Sequence, residues 1–362
     1  MLGAMREVSY RNRRACQLDN GLLRVTVLVE GGHVAEIFDH QAGVNPLWTP
    51  PWPSIEPSAY DPQRHPEYGQ NAESRLLAGI MGHNLCLDIF GPPSQEEAAA
   101  GLPVHGEASV VPYRLTVEGE RLLAQAELPE ARLRVEREIR LRAEGRVVEF
   151  TETVENVSAT DRPVGWTQHV TLGPPFLAKG QTLFRASATR SKVFESDFSP
   201  GNSYLEIGAE FDWPWAPRRD GGVTDLRIYT DAPVSGEFTT HLMDPAREQA
   251  YFLAWSPAFR LAFGYVWRQR DFPWMGIWEE NYSRLNPPWN GRTLTRGMEF
   301  GVSPMPETRR QMIARGTMFG VPGYGWIGAR RRVQVRYCAF LMPAREAPES
   351  VVWDGSAHVD LS

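Results

Sequence analysis

Residues 131–142, ARLRVEREIRLR, and 146–156, RVVEFTETVEN, decide the fold class. In the first run Leu133, Val135, Ile139 and Leu141 share one parity, interrupted only by Arg137. Arg132, Arg134, Glu136, Glu138, Arg140 and Arg142 take the other parity. Successive strand side chains point to opposite faces, so this alternation describes a half-buried antiparallel strand. Ala143-Glu-Gly145 is a turn signal, and the two runs read as a hairpin. Similar runs recur at 22–29, 33–39, 107–119, 121–128, 162–172, 181–195, 224–230, 236–243, 249–256, 259–267, 273–280, 294–302 and 331–341. Their spacing is that of sandwiches and barrels, which predicts an all-β protein of antiparallel sheets. Helical signals are few and short. Ser94 caps 95–100, and 307–315 forms a second helix.

The chain has 362 residues. At roughly 150 residues per domain that means two domains or one large one. The Pro-rich stretch 45–69 is the only linker-like segment. It carries Trp48, Trp52, Tyr60 and Tyr68, which suit an ordered loop over a site better than a flexible linker. One domain over 1–362 is therefore expected. A net charge of −6 argues against nucleic acid as a partner. No apolar run reaches the roughly 18 residues of a membrane span, so no membrane partner is expected. The N-terminal stretch has no apolar core of a signal peptide, which makes the cytoplasm the expected location. Cys16, Cys86 and Cys338 show neither disulfide-framework nor metal-ligand spacing. No phosphate-binding glycine loop and no G-x-S-x-G elbow is present, and no cofactor or metal is expected. Oligomeric state is not legible.

Three segments carry candidate chemistry. His105 lies in GLPVHGE, residues 101–107, entering a strand after a turn. His169 lies inside the run GWTQHVTL, residues 165–172. In Gly276-Ile-Trp-Glu-Glu280, parity puts Trp274, Gly276, Trp278 and Glu280 on one face and Met275, Ile277 and Glu279 on the other. One of Glu279 and Glu280 then points inward, where desolvation raises a carboxyl pKa into the range of a general base, unless the strand ends at Trp278. Twelve tryptophans beside these histidines suggest a sugar pocket, with indole faces on the apolar face of a pyranose and polar groups on its hydroxyls. Trp213, Trp215 and Trp289 lie beside prolines on loops and are better platforms than Trp255 or Trp267.

These segments, in this order, resemble the galactose mutarotase (aldose 1-epimerase) superfamily. Residues 20–38 are similar to its first strand pair, Pro103-Val-His-Gly106 to its Leu-His-Gly motif, Gln168-His-Val170 to the strand of its second histidine, and Gly276-Ile-Trp-Glu-Glu280 to its Gly-Ile-x-x-Glu strand. The resemblance spans most of 15–305. It implies a β-supersandwich of antiparallel sheets with a few short helices and a cofactor-free proton transfer that opens and closes a sugar ring. It implies Glu280 as base, His169 as acid and His105 as a further polar contact. It maps the family's arginine onto Arg75, with His83 as competitor, and its sugar-binding aspartate onto Asp244. Trp278, Trp213 and Glu279 complete the expected substrate-binding set. The implied partner is a small sugar or sugar derivative.

The Asp244 spacing and the segment 281–289 depart from the family's pattern, so two other readings stay open. One is a carbohydrate-binding protein without turnover. The other is a lyase-like enzyme on larger or acidic glycans, with Arg284, Arg292 and Arg296 holding the acidic group.

Overall fold

The computed structural model describes residues 7–362. The hairpin forms as Leu133–Leu141 and Val147–Asn156, with Leu133 opposite Asn156 and Leu141 opposite Val148. It lies in an eight-stranded sheet. There Val147–Asn156 pairs with Arg332–Pro343, which pairs with Leu261–Arg268, followed by Gln249–Ser256. A second sheet has twelve strands. Its centre runs His83–Asp88, Arg162–Leu172, Leu294–Gly301, Trp274–Asn281, Ser235–Met243, every neighbour antiparallel. The architecture is an all-β supersandwich of antiparallel sheets with short helices.

The sheets bury a common core between them. Phe150, Tyr265 and Tyr337 of the smaller sheet pack against Phe300 and Val170 of the larger. Arg137, which breaks the apolar stripe of the hairpin, points into this core. Its guanidinium donates to Glu152 at 2.6 Å and to Gln168 Oε1 at 3.0 Å. Glu152 also accepts from Trp166 Nε1 and Gln168 Nε2. An inward charge survives there because an opposite charge and several hydrogen bonds meet it.

The larger sheet is covered on its outer face as well, so Trp274–Asn281 is buried at every residue. Loops form that cover. The 45–69 stretch is ordered, with Trp48, Trp52 and Tyr68 buried. Trp289 stacks on Trp48 at 6.0 Å between ring centroids and meets Trp52 edge-on at 5.1 Å.

Several elements differ from the sequence reading. His83–Asp88 is a central strand that the pattern did not reveal, because its polar residues are buried too. Residues 107–119 do not form one strand. Glu107–Ser109 is a 3-10 turn and only Arg114–Glu118 is extended, after Pro112, which has no N–H to give a ladder. The 181–195 run divides between the sheets as Leu183–Ala186 and Ala188–Val193. Both expected helices form, Gln95–Ala99 and Arg309–Arg315, each with a reciprocal capping box at Ser94 or Thr308. No helix of the described residues is long and apolar enough to cross a membrane.

Candidate active site

Strand register builds the site. Across the outer face of the larger sheet, Asn84, His169, Glu299, Gly276 and Thr240 form one row of directly paired residues. The next row is Thr171, Gly297, Trp278 and Phe238. Paired positions on one face lie close enough for their side chains to meet. His169 Nε2 is 3.1 Å from Glu299 Oε1, and His169 Nδ1 is 3.1 Å from Thr171 Oγ1.

Glycine makes the room for Glu299. A Cβ on Gly297 would overlap Glu299 Oε1 and come within 3.2 Å of its Cδ. A Cβ on Gly276 would lie 3.5 Å from Oε2 and 2.7 Å from the Phe238 ring. Two bare strand positions thus seat the carboxyl against the sheet.

His105 arrives from a loop, not a strand. Its φ of +66° places it in the left-handed region, and Gly106 follows at +78°. Its N–H and C=O bond to Gly91 and Leu87, and its Nδ1 lies 2.5 Å from the Phe90 carbonyl. A carbonyl only accepts, so Nδ1 carries the proton and Nε2 is left as an acceptor. The His105 and His169 rings are 5.0 Å apart.

These three groups meet a cavity of about 190 Å³. Trp278, Trp289, Phe90, Phe194, Phe198 and Phe238 line it, as do aliphatic side chains from 76–80. Arg284 and Glu73 also line it, 3.5 Å apart. The Arg284 guanidinium lies over Trp278 at 5.5 Å and Trp289 at 4.8 Å. Among the described residues, the indole N–H groups of Trp278 and Trp289 and Glu299 Oε1 have no hydrogen-bond partner.

Burial controls the protonation of the site. It pushes the Glu299 carboxyl up to about 8. It lowers His105, and it lowers His169 strongly, with the neighbouring His105 adding to the effect. The 3.1 Å contact is therefore a carboxylic acid beside a neutral imidazole near pH 7, and not an ion pair. Among the described residues no three His, Cys, Asp or Glu side chains gather as metal ligands.

The structure brings His105, His169 and Trp278 together at this cavity. Glu280 shares the face of Trp278 but is absent from the lining, with its carboxylate turned into the chain that follows. It accepts from Ser283 N at 2.7 Å, Ser283 Oγ at 2.8 Å and Arg284 N at 3.0 Å. Glu279 faces the opposite side, buried beneath Ser235 Oγ at 2.6 Å, and burial raises its pKa. His83 also lies on the core side, between Tyr265 OH at 3.0 Å and Gln168 Oε1 at 2.9 Å. Trp213 packs edge-on against His241 at 5.1 Å, away from the cavity. Asp244 caps the turn beyond its strand, accepting from Ala246 N. Arg75 sits on the short helix Ser74–Leu77, whose Leu76 and Leu77 reach the cavity, while its own side chain does not line it.

Glu299 and the phenylalanines are the residues that the sequence reading missed. The available signal for Glu299 was Gly297-Met-Glu-Phe-Gly301, a lone acid between two glycines of its own parity in a strand. Nothing local marked Phe90, Phe194, Phe198 or Phe238, which come from three separate segments.

No protein-family model and no curated protein matches the chain. Solved structures do. A candidate aldose 1-epimerase from Klebsiella pneumoniae superposes with a TM-score of 0.67 at 13% identity, over 92% of this chain and 80% of that one. A galactose mutarotase related enzyme from Lactobacillus acidophilus gives 0.60 at 14%, over 92% and 99%. A galactose mutarotase-like protein from Clostridium acetobutylicum gives 0.59 at 14%, over 93% and 98%. At such identities the likeness speaks for the fold: this chain has the galactose mutarotase-like fold.

Proposed function

We propose that this protein is an aldose 1-epimerase-like isomerase that interconverts the anomers of a small sugar by acid–base catalysis. The observation that carries the reading is the Glu299–His169 contact with His105 beside it, on the floor of a sugar-sized aromatic cavity. The fold of proteins described as aldose 1-epimerases and mutarotases supports the sugar as partner.

The carboxyl role falls to Glu299 rather than Glu280, whose oxygens are engaged by Ser283 and Arg284. Glu299, held protonated, gives its proton to the ring oxygen O5. Nε2 of His105 takes the proton from the anomeric hydroxyl. The C1–O5 bond breaks as C1=O1 forms. The aldehyde then rotates about C1–C2, and closure on its other face returns O5–H to Glu299 and the imidazolium proton to O1. His169, in contact with Glu299 and next to His105, holds the carboxylate that exists while the ring is open. A positioned acid and base contribute roughly 10²–10⁴-fold. No metal or cofactor is needed for this proton balance.

Anomer exchange measured by NMR saturation transfer over a panel of neutral, acidic and phosphorylated aldoses tests the reading. The expected result is acceleration by the wild type, a loss of roughly 10²-fold or more in Glu299→Gln, and a rate within a few-fold of wild type in Glu280→Gln. The opposite order of the two variants would return the role to Glu280. Saturable binding with no exchange for any sugar would make the protein a carbohydrate-binding module.

A further inference from the structure

Resting on the sugar reading above, we infer that the preferred substrate is a deoxy sugar, a 6-deoxyhexose in class, and not a fully hydroxylated hexose. The polar groups of the cavity sit at the sheet floor and at the mouth. On the floor, Glu299, His169 and His105 are committed to the anomeric hydroxyl and the ring oxygen. At the mouth, Arg284 and Glu73 offer one donor and one acceptor group 3.5 Å apart. The indole N–H groups of Trp278 and Trp289, unpartnered among the described residues, are buried and add no exposed donor to the wall. The rest of the wall is apolar and thick. Phe238, Phe198 and Phe194 pack on one another at 5.4–5.9 Å between centroids, and Phe90 meets Phe238 at 6.2 Å. Leu76, Leu77 and Ile80 face the same space from another segment.

A hexopyranose carries a hydroxyl at every ring carbon but the one bonded to its hydroxymethyl group, and each hydroxyl needs an acceptor for its proton when buried. Apart from the floor groups and Glu73, no side chain lining this cavity carries a hydrogen-bond acceptor. A hydroxymethyl group pressed against the phenylalanines would lose its hydrogen bonds to water and gain none. A methyl group at the same place keeps the contact area and removes that loss. The selectivity follows from what the wall withholds as much as from what it offers.

Matched pairs test this: 6-deoxy-D-glucose against D-glucose, D-fucose against D-galactose, and D-rhamnose against D-mannose. Each is followed by anomer exchange and, with the methyl glycosides, by ligand-observed NMR binding. Methyl glycosides cannot open their rings, so binding is read apart from turnover. The expected result is a preference for the deoxy member of roughly 10-fold or more in both assays, the order set by one hydroxyl left unpaired. In Phe198→Gln, on the half-buried mouth loop, the preference narrows. A deoxy preference in binding with no exchange for any sugar supports the substrate class and overturns the epimerase reading. Exchange that is equal or faster with the parent hexoses overturns the substrate class and leaves the epimerase standing. If neither member of any pair binds or exchanges, the substrate class falls too.

Discussion

Gly297→Ala moves the Glu299 carboxyl with a single methyl group. In a strand, alanine normally stabilises over glycine by roughly 0.5–1 kcal/mol, because the unfolded chain loses freedom. Gly297 has no left-handed backbone that would forbid alanine. The obstacle is the carboxyl: the new methyl overlaps Glu299 Oε1 and reaches 3.2 Å from both Glu299 Cδ and Trp278 Cβ. Carbon contacts settle near 3.5–4.0 Å, so the carboxyl must swing by about 1 Å. It can do so without unfolding the sheet, since it ends a flexible side chain. We expect a stability loss of about 1–2 kcal/mol, the ordinary overpacking cost. The 3.1 Å contact to His169 then opens. A displacement of that size costs on the order of 10²-fold in rate when the moved group is the proton donor. Thermal unfolding and anomer exchange on the same preparation separate the two effects. A variant with the expected stability loss and an unchanged rate would refute the claim that the glycine seats a working carboxyl.

Further expectations concern protons and charge. Glu299 has a folded pKa of about 8 against an unfolded value near 4.5, so the folded state binds more protons between these limits. Stability is therefore lost as pH rises from about 4.5 to 8, and Glu299→Gln, isosteric and uncharged, gains on wild type over that window and matches it at pH 4. Equilibrium denaturation at several pH values reads this, and an equal gap at pH 4 and pH 9 would contradict it. The rate falls with the same group, declining as pH rises through about 8. His241 is buried between Thr239 and Ser191, and burial lowers its pKa to about 3. Its unfolded form gains a proton first, so stability falls as pH drops from about 6.5 toward 3. His241→Gln shows a flatter acid limb in the same denaturation series. Arg137→Met strands Glu152 in the core and costs roughly 3–5 kcal/mol, while Arg137→Met with Glu152→Gln recovers part of it. Urea denaturation of the single and double variants measures both values.

The hairpin shows how far pattern reading carries and where it stops. Its alternation predicted the strands and the turn between them, since a half-buried strand writes its two faces into alternate residues. The same rule failed on His83–Asp88, which is buried on both faces and so has no solvent side to mark. The site followed the same division. His169 and Trp278 were legible through the short motifs that carry them, and parity gave Trp278 its face, although both strands are buried on both sides. Glu280 shared that parity and looked equivalent. Its carboxylate was withdrawn by Ser283 and Arg284, residues whose backbone direction no pattern encodes.

The sequence by itself determined the fold class, the central strands of the larger sheet other than His83–Asp88, and the parity of the side chains along Trp274–Asn281. It did so because these depend on spacing between near neighbours in the chain. The pairing of Leu294–Gly301 between Arg162–Leu172 and Trp274–Asn281 was decided only by the tertiary structure. That pairing sets Glu299 beside His169 across 130 residues of chain, above glycines from two strands. The apolar wall was likewise assembled from strands, a short helix and loops that converge on one face. Contacts between distant segments are selected by the packing of the whole core and the register of the whole sheet, and no local run of residues contains that information.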